Sequence, residues 1–343
     1  MIKPLCFVSK GVLGWREAPE PLISNALQAI VRPIVVGRWD LDVAIVQGMI
    51  PLPAGEPIGH EIISEIVDLG DRVSGFSIGE TVIVPAQISC GECRSCLRGF
   101  TGRCESVPLG ALYGMGRVGE FGGGAADLVM VPFATATLFK LPIGADPVDW
   151  IGFTDMAQDA YRAVGPALLQ RPKSRVLVIG GLPEVIGIYS AAMAKALGAS
   201  EVDYYDNDSR RLKEVQKYAV HPLNSDIQEP HDRYAIVVDS SIDSKALMTA
   251  FKFTDPEAIV TSVSIHIDLI TPIPLVKMYR KGVFYRIGRP NCRQYMQTVA
   301  DLCCSGKFKP HNISSKVFNF EEAESARADK AMRILFLRPS LQN

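Results

Sequence analysis

Four cysteines fall within fifteen positions, Cys90-Gly-Glu-Cys93-Arg-Ser-Cys96 and then Cys104, in a C-x2-C-x2-C-x7-C pattern. Thiolates are soft donors and a short loop can wrap one ion, so the pattern predicts a single tetrahedral zinc. Four sulfur ligands leave no open coordination place. The ion would therefore be structural, folding a loop that has little core of its own. Upstream lie Gly59-His60-Glu61 and Trp39-Asp40-Leu41-Asp42, which add a side chain that titrates near neutral pH and several carboxylates.

A second constellation is the turn Gly180-Gly181-Leu182-Pro183-Glu184-Val185-Ile186-Gly187. Counted back from Gly187, the dinucleotide template G-x-G-x-x-G puts Leu182 and Glu184 at its first two glycine positions. The second glycine lets backbone approach a pyrophosphate. Glu184 places a side chain and a like charge there instead, so the loop argues against NAD(H). Asp206, nineteen residues past Gly187, remains suited to a ribose diol.

These groups need elements to hold them, and 343 residues suggest two domains. Residues 1–150 read as β-rich. Apolar runs such as Ala29 to Val36, Ile62 to Val67 and Thr81 to Val84 are separated by Gly, Pro and Asp-Arg turns. From about Trp150, helices and strands alternate. Helices are predicted over Asp155 to Leu169, Val185 to Leu197, Ser209 to Tyr218 and Leu247 to Phe253. Strands are predicted over Arg175 to Gly180, Glu201 to Asp206, Tyr234 to Asp239 and Ala258 to Val263. That alternation indicates a doubly wound parallel sheet.

Together, Gly59-His60-Glu61, the cysteine lobe, Gly37-Arg-Trp-Asp-Leu-Asp42 and Gly122-Gly-Gly-Ala-Ala-Asp-Leu-Val resemble the zinc alcohol dehydrogenases of the medium-chain dehydrogenase/reductase superfamily. The resemblance implies an α/β protein: a partly open, GroES-like β-barrel catalytic domain and a Rossmann domain. It places the first at residues 1–156 and 290–343, with the zinc lobe at 88–106, and the second at 157–289. It further implies a catalytic zinc held from position 39, His60 and Asp155, with Glu61 beside it and Asp42 orienting His60. The family has a cysteine where this chain has Trp39, and indole offers a metal no lone pair. An Asp42–His60 pair without zinc is a ready general base. By the same resemblance Asp159 lines a nicotinamide pocket, while His266 and Tyr113 are further pocket candidates. His221, His231 and His311 read as loop histidines, and Cys303-Cys304 as packed in a core.

Net charge is −1, and no basic cluster stands out, which argues against nucleic acid or an anionic membrane as partner. No run of 18 apolar residues predicts a membrane span, and the N-terminal apolar run is too short for a signal peptide. Four scattered cysteines beside a four-cysteine cluster suit a reducing, cytoplasmic setting. A small-molecule substrate and a homodimer or homotetramer are expected.

Trp39 and Glu184 strike the two halves of one reaction, the Lewis acid and the hydride carrier. The leading expectation is thus an alcohol dehydrogenase-like enzyme reused for non-redox acid/base chemistry: a cyclase, lyase or isomerase. The alternatives are an NAD(H)-dependent alcohol or aldehyde oxidoreductase and a non-catalytic binding protein. The retained Asp42, His60, Glu61 and Asp155 favour use over silence, because idle buried carboxylates cost stability.

Overall fold

The ten-residue strand Ala29–Arg38 is buried along almost its whole length. Val36 belongs to one apolar cluster, with Ile58 and Phe336, and Val31 to another, with Ile62 and Val84. β-branched residues fit such a pleated surface buried on both faces. In the computed structural model, which describes residues 1–116, 120–230, 233–266 and 268–340, this strand is the axis of the first of two compact units. That unit comprises 1–155, 291–297 and 314–343. The strand pairs antiparallel with Glu61–Leu69, with Ile334–Leu337 and, near its start, with Val129–Val131. Pro33 sits where the pairing register shifts, the position at which a strand tolerates a missing N–H. Thr81–Val84, Phe139–Lys140 and Lys316–Asn319 extend the sheet to seven strands. The result is the partly open GroES-like barrel.

The second unit comprises 156–290 and 298–313. Its six strands run in the spatial order His221–Asn224, Val202–Asp206, Val176–Ile179, Tyr234–Asp239, Thr254–Ser262, Phe284–Ile287. All are parallel. In chain order this is 3-2-1-4-5-6, the Rossmann arrangement, whose ligand crevice lies at the carboxyl ends of the strands. Asp208 and Asp243 begin the helices Ser209–Gln216 and Ser244–Lys252, each side chain accepting from the first-turn amides.

One boundary differs from expectation. The stretch 298–313 packs with the second unit, not the first. Phe308, 1% exposed, meets the Tyr189 ring edge-on at 5.3 Å, and the Tyr189 hydroxyl donates to the Pro310 carbonyl. The Cys303-Cys304 pair is also placed differently. Met296, Val299 and Ala300 form the buried face of the helix Cys292–Cys304, whereas Cys303 is half-buried and Cys304 exposed.

Candidate functional site

The four sulfurs of Cys90, Cys93, Cys96 and Cys104 lie within 4.8 Å of one another. Amides point at them: Cys93 N–H donates to Cys90 Sγ, Cys90 N–H to Cys104 Sγ, and Glu105 N–H to Cys93 Sγ, each at 3.3 Å. Against the cost of burial, the Ser106 hydroxyl and neighbouring amides bring the Cys90 thiol down to about 6. The lobe is tied down by Asn291, whose Oδ1 accepts from Arg103 Nη1 at 3.0 Å and from the Gly102 amide. A compact, amide-supported set of four sulfurs fits one tetrahedral zinc.

Trp39 follows the long strand and precedes the short helix Asp40–Val46. Its amide donates to Asp42 Oδ2 at 3.1 Å. The other oxygen of Asp42 lies 3.4 Å from His60 Nδ1, so one carboxylate fastens the helix start and faces the histidine. The indole is 1% exposed, with the Arg333 guanidinium 5.3 Å above its ring. A Cβ at position 37 would come 2.4 Å from Trp39 Nε1, so only Gly37 leaves space for the ring. Nε1 itself has no hydrogen-bond partner. His60 and Glu61 are set by Gly59, whose φ of +92° and closeness to the Ala125 amide, 2.9 Å from a would-be Cβ, both require glycine.

His60 is 2% and Glu61 0% exposed. Burial would lower the His60 pKa, but Asp42, with Glu61 and Asp155, outweighs it and holds the imidazole up to about 9. Burial pushes the Glu61 carboxyl up to about 8, opposed by His60 and reinforced by Asp155. The Thr154 hydroxyl lies close enough to hold the carboxyl down in part, but neither Glu61 oxygen makes a well-formed hydrogen bond. Asp155 has a partner that sequence reasoning missed: the Cys292 thiol donates to its Oδ1 at 2.9 Å. Position 292, 137 residues away, carried no local signal beyond being a cysteine.

A three-ligand catalytic zinc does not fit these residues. At position 39, where the resemblance puts the first ligand, Trp39 offers no lone pair, and Asp155 is engaged by Cys292. Among the described residues, the four-cysteine lobe is the group of three or more potential ligands close enough to share an ion.

In the second unit, Glu184 opens the helix Glu184–Ala196 and is 8% exposed. Its Oε1 accepts from Arg210 Nη2 at 3.0 Å and Arg211 Nη1 at 2.9 Å. Asp206 is not the free ribose acceptor that its position suggested. Arg211 grips both its oxygens, Nε to Oδ2 at 2.6 Å and Nη2 to Oδ1 at 2.8 Å. Leu182 gives its carbonyl to the Ser264 hydroxyl. Gly187 retains a packing role, since a Cβ there would come 2.8 Å from Ser240 Oγ. The residues present do not fit a pyrophosphate.

The remaining candidates separate. Asp159, expected to line a nicotinamide pocket, is paired with Arg162 Nε at 2.6 Å. Tyr113 is a core residue, its hydroxyl donating to the Met130 carbonyl. His266 Nε2 lies 3.2 Å from Asp239 Oδ2, which the Ser262 hydroxyl also reaches. His221 belongs to a strand and pairs with Asp203 at 2.7 Å. His311 is exposed in a short helical turn, and His231 lies outside the described residues.

A family model for the alcohol dehydrogenase GroES-like domain matches residues 25–143. Glutathione-independent formaldehyde dehydrogenase of Pseudomonas aeruginosa is 31% identical over 223 residues, 62% of this chain and 55% of that protein. The match thus spans little more than half the length of that relative. A zinc-type alcohol dehydrogenase-like protein, AdhB of Bacillus subtilis, is 24% identical across 90% of this chain and 91% of its own. Among solved structures, alcohol dehydrogenase TADH from Thermus sp. ATN1 superposes with a TM-score of 0.89 at 27% identity, covering 98% of this chain and 99% of that one. With the barrel, the 3-2-1-4-5-6 sheet and the four-cysteine lobe, these likenesses show that the chain belongs to the medium-chain dehydrogenase/reductase superfamily.

Proposed function

We propose that this alcohol dehydrogenase-like chain holds one structural zinc and performs non-redox proton-transfer chemistry, as a cyclase, lyase or isomerase, on a small molecule in the first unit. The observation that carries the reading is Glu61: a fully buried carboxyl without a sound hydrogen bond, next to the His60–Asp42 ion pair. Buried polar groups left unpaired are costly and rare, so such a group calls for an explanation in function. With folded pKa values of about 8 and about 9, Glu61 is protonated and His60 cationic at neutral pH. The pair is therefore a proton donor in its resting form. Glu61 gives its proton to a substrate oxygen or carbon, and the carboxylate so formed is stabilised by the imidazolium beside it. Trp39 seals the metal position and keeps the carboxyl dry.

Difference infrared spectroscopy tests this without a substrate. A protonated-carboxyl band should be present at neutral pH, titrate near pH 8 and vanish in Glu61→Gln. Its absence would remove the donor.

A second reading, an NAD(H)-dependent alcohol or aldehyde oxidoreductase, is favoured by kinship: the match to TADH spans nearly the whole of both chains. Titration with NADH separates the two, because the second reading requires tight binding.

The cytoplasm is the proposed location, in keeping with eight free cysteines. Self-association is proposed through the second unit. Leu269, Ile270, Leu275, Val276 and Tyr279 are all at least 66% exposed, and the strand Phe284–Ile287 ends its sheet. Sedimentation should show a dimer or tetramer, and a monomer would refute this.

A further inference from the structure

The dinucleotide crevice is furnished with charges of its own at the start of the helix Glu184–Ala196 and at Asp206. The positive end of a 13-residue helix is an anion site, the usual seat of a pyrophosphate. Glu184, in the first turn of that helix, puts a carboxylate there. Asp206, the hydroxyl acceptor expected for ribose, has both oxygens taken by Arg211, and Arg211 also bonds Glu184. Arg210 bridges Glu184 and Asp208. Three carboxylates against two guanidinium groups leave the cluster at −1, which repels a diphosphate. The turn is also pinned. The Ser240 hydroxyl donates to the Pro183 carbonyl at 2.8 Å and the Ser264 hydroxyl to the Leu182 carbonyl at 3.1 Å.

We infer that Glu184 and Arg211 together are a built-in occupant of the dinucleotide site, the carboxylate standing in for pyrophosphate and the guanidinium for the ribose diol. The side chains of Asp206 and Arg211 are 2% and 11% exposed. A nucleotide therefore has to displace a buried bidentate pair as well as a like charge. Glycine at position 184 alone does not open the site, because Arg211 stays on Asp206. The inference concerns the second unit alone and does not depend on the chemistry proposed for His60.

Calorimetric titration with NADH, on wild type, Glu184→Gly, Arg211→Ser and the double variant, tests it. Wild type and both single variants should bind weakly or not at all. The double variant should bind at least about tenfold more tightly than either single, a difference of about 1.4 kcal/mol. Tight binding by wild type overturns the inference, and so does a Glu184→Gly variant that matches the double. A double variant that is folded by circular dichroism yet fails to bind overturns it too. If the double variant does not fold, urea midpoints of Glu184→Gln, Arg211→Gln and their combination decide. The two should be coupled, and strict additivity would show that they are not one device.

Discussion

The Cys292 thiol donates to Asp155 Oδ1 at 2.9 Å, so the carboxylate at the third ligand position has a protein partner. Cys292 is itself fully buried, and its amide donates to Gln87 Oε1 at 3.4 Å. Removing the thiol leaves a half-buried carboxylate short of a donor, which costs at most about 1–3 kcal/mol. Cys292→Ala should lower the urea midpoint by that order, and Asp155→Asn in the same background should recover part of the loss. If Cys292→Ala matches wild type, the contact carries no stabilisation and Asp155 is free for another role.

Purified protein should contain one zinc per chain, held by Cys90, Cys93, Cys96 and Cys104. A metal-binding loop without its ion keeps little structure. Chelation should therefore expose the lobe to protease, with cleavage between positions 88 and 106, while the second unit keeps its far-ultraviolet signal. Two zincs per chain by elemental analysis would show that the His60 region holds a metal after all.

The two raised acids set a pH dependence of stability. Glu61 moves from 4.5 to about 8 and His60 from 6.5 to about 9. In both cases the folded state binds the proton more tightly than the unfolded one. Their contribution is fully present below the unfolded values and is lost as pH rises through the folded ones. Wild type should lose stability steadily between pH values of about 5 and 9. Glu61→Gln, neutral throughout, should remove the Glu61 share, leaving the profile flat below about pH 6.5, where His60 begins to contribute, and shallower from there to about pH 8. Parallel profiles for the two proteins would mean that Glu61 is ionised in the native state.

What could be read from the chain was local. Val176–Ile179 and Tyr234–Asp239 announce themselves as apolar, largely β-branched runs, and the cysteine lobe does so because its ligands lie within one loop. Glu184 stood out because a template fixes what belongs there. Its partner Arg211, 27 residues on, fits no template and looks like any helix arginine. Lys316–Asn319 hides because its side chains are mostly exposed, so apolar patterning is weak. The short helix Asp40–Val46 hides behind a start capped by Asp42 from inside the helix rather than by a polar residue before it. Long-range pairs are settled by packing, which no window of sequence contains.

Trp39 stands where the resemblance puts a metal ligand beside His60. Cysteine there would add a thiolate to His60 and Asp155, completing a three-ligand set with Asp42 behind the histidine. Trp39→Cys should raise zinc content from one towards two per chain, with Asp155 exchanging Cys292 for the ion. The indole is almost wholly buried and packed under Arg333, so its loss leaves a cavity and costs about 3–5 kcal/mol before any metal compensates. The variant should be markedly less stable under chelator and partly rescued by added zinc. It should gain no nicotinamide-dependent activity, because Glu184 and Arg211 still close the second unit. A variant that stays at one zinc under saturating metal would show that position 39 does not face His60 and Asp155, and the assignment of the metal position would fall with it.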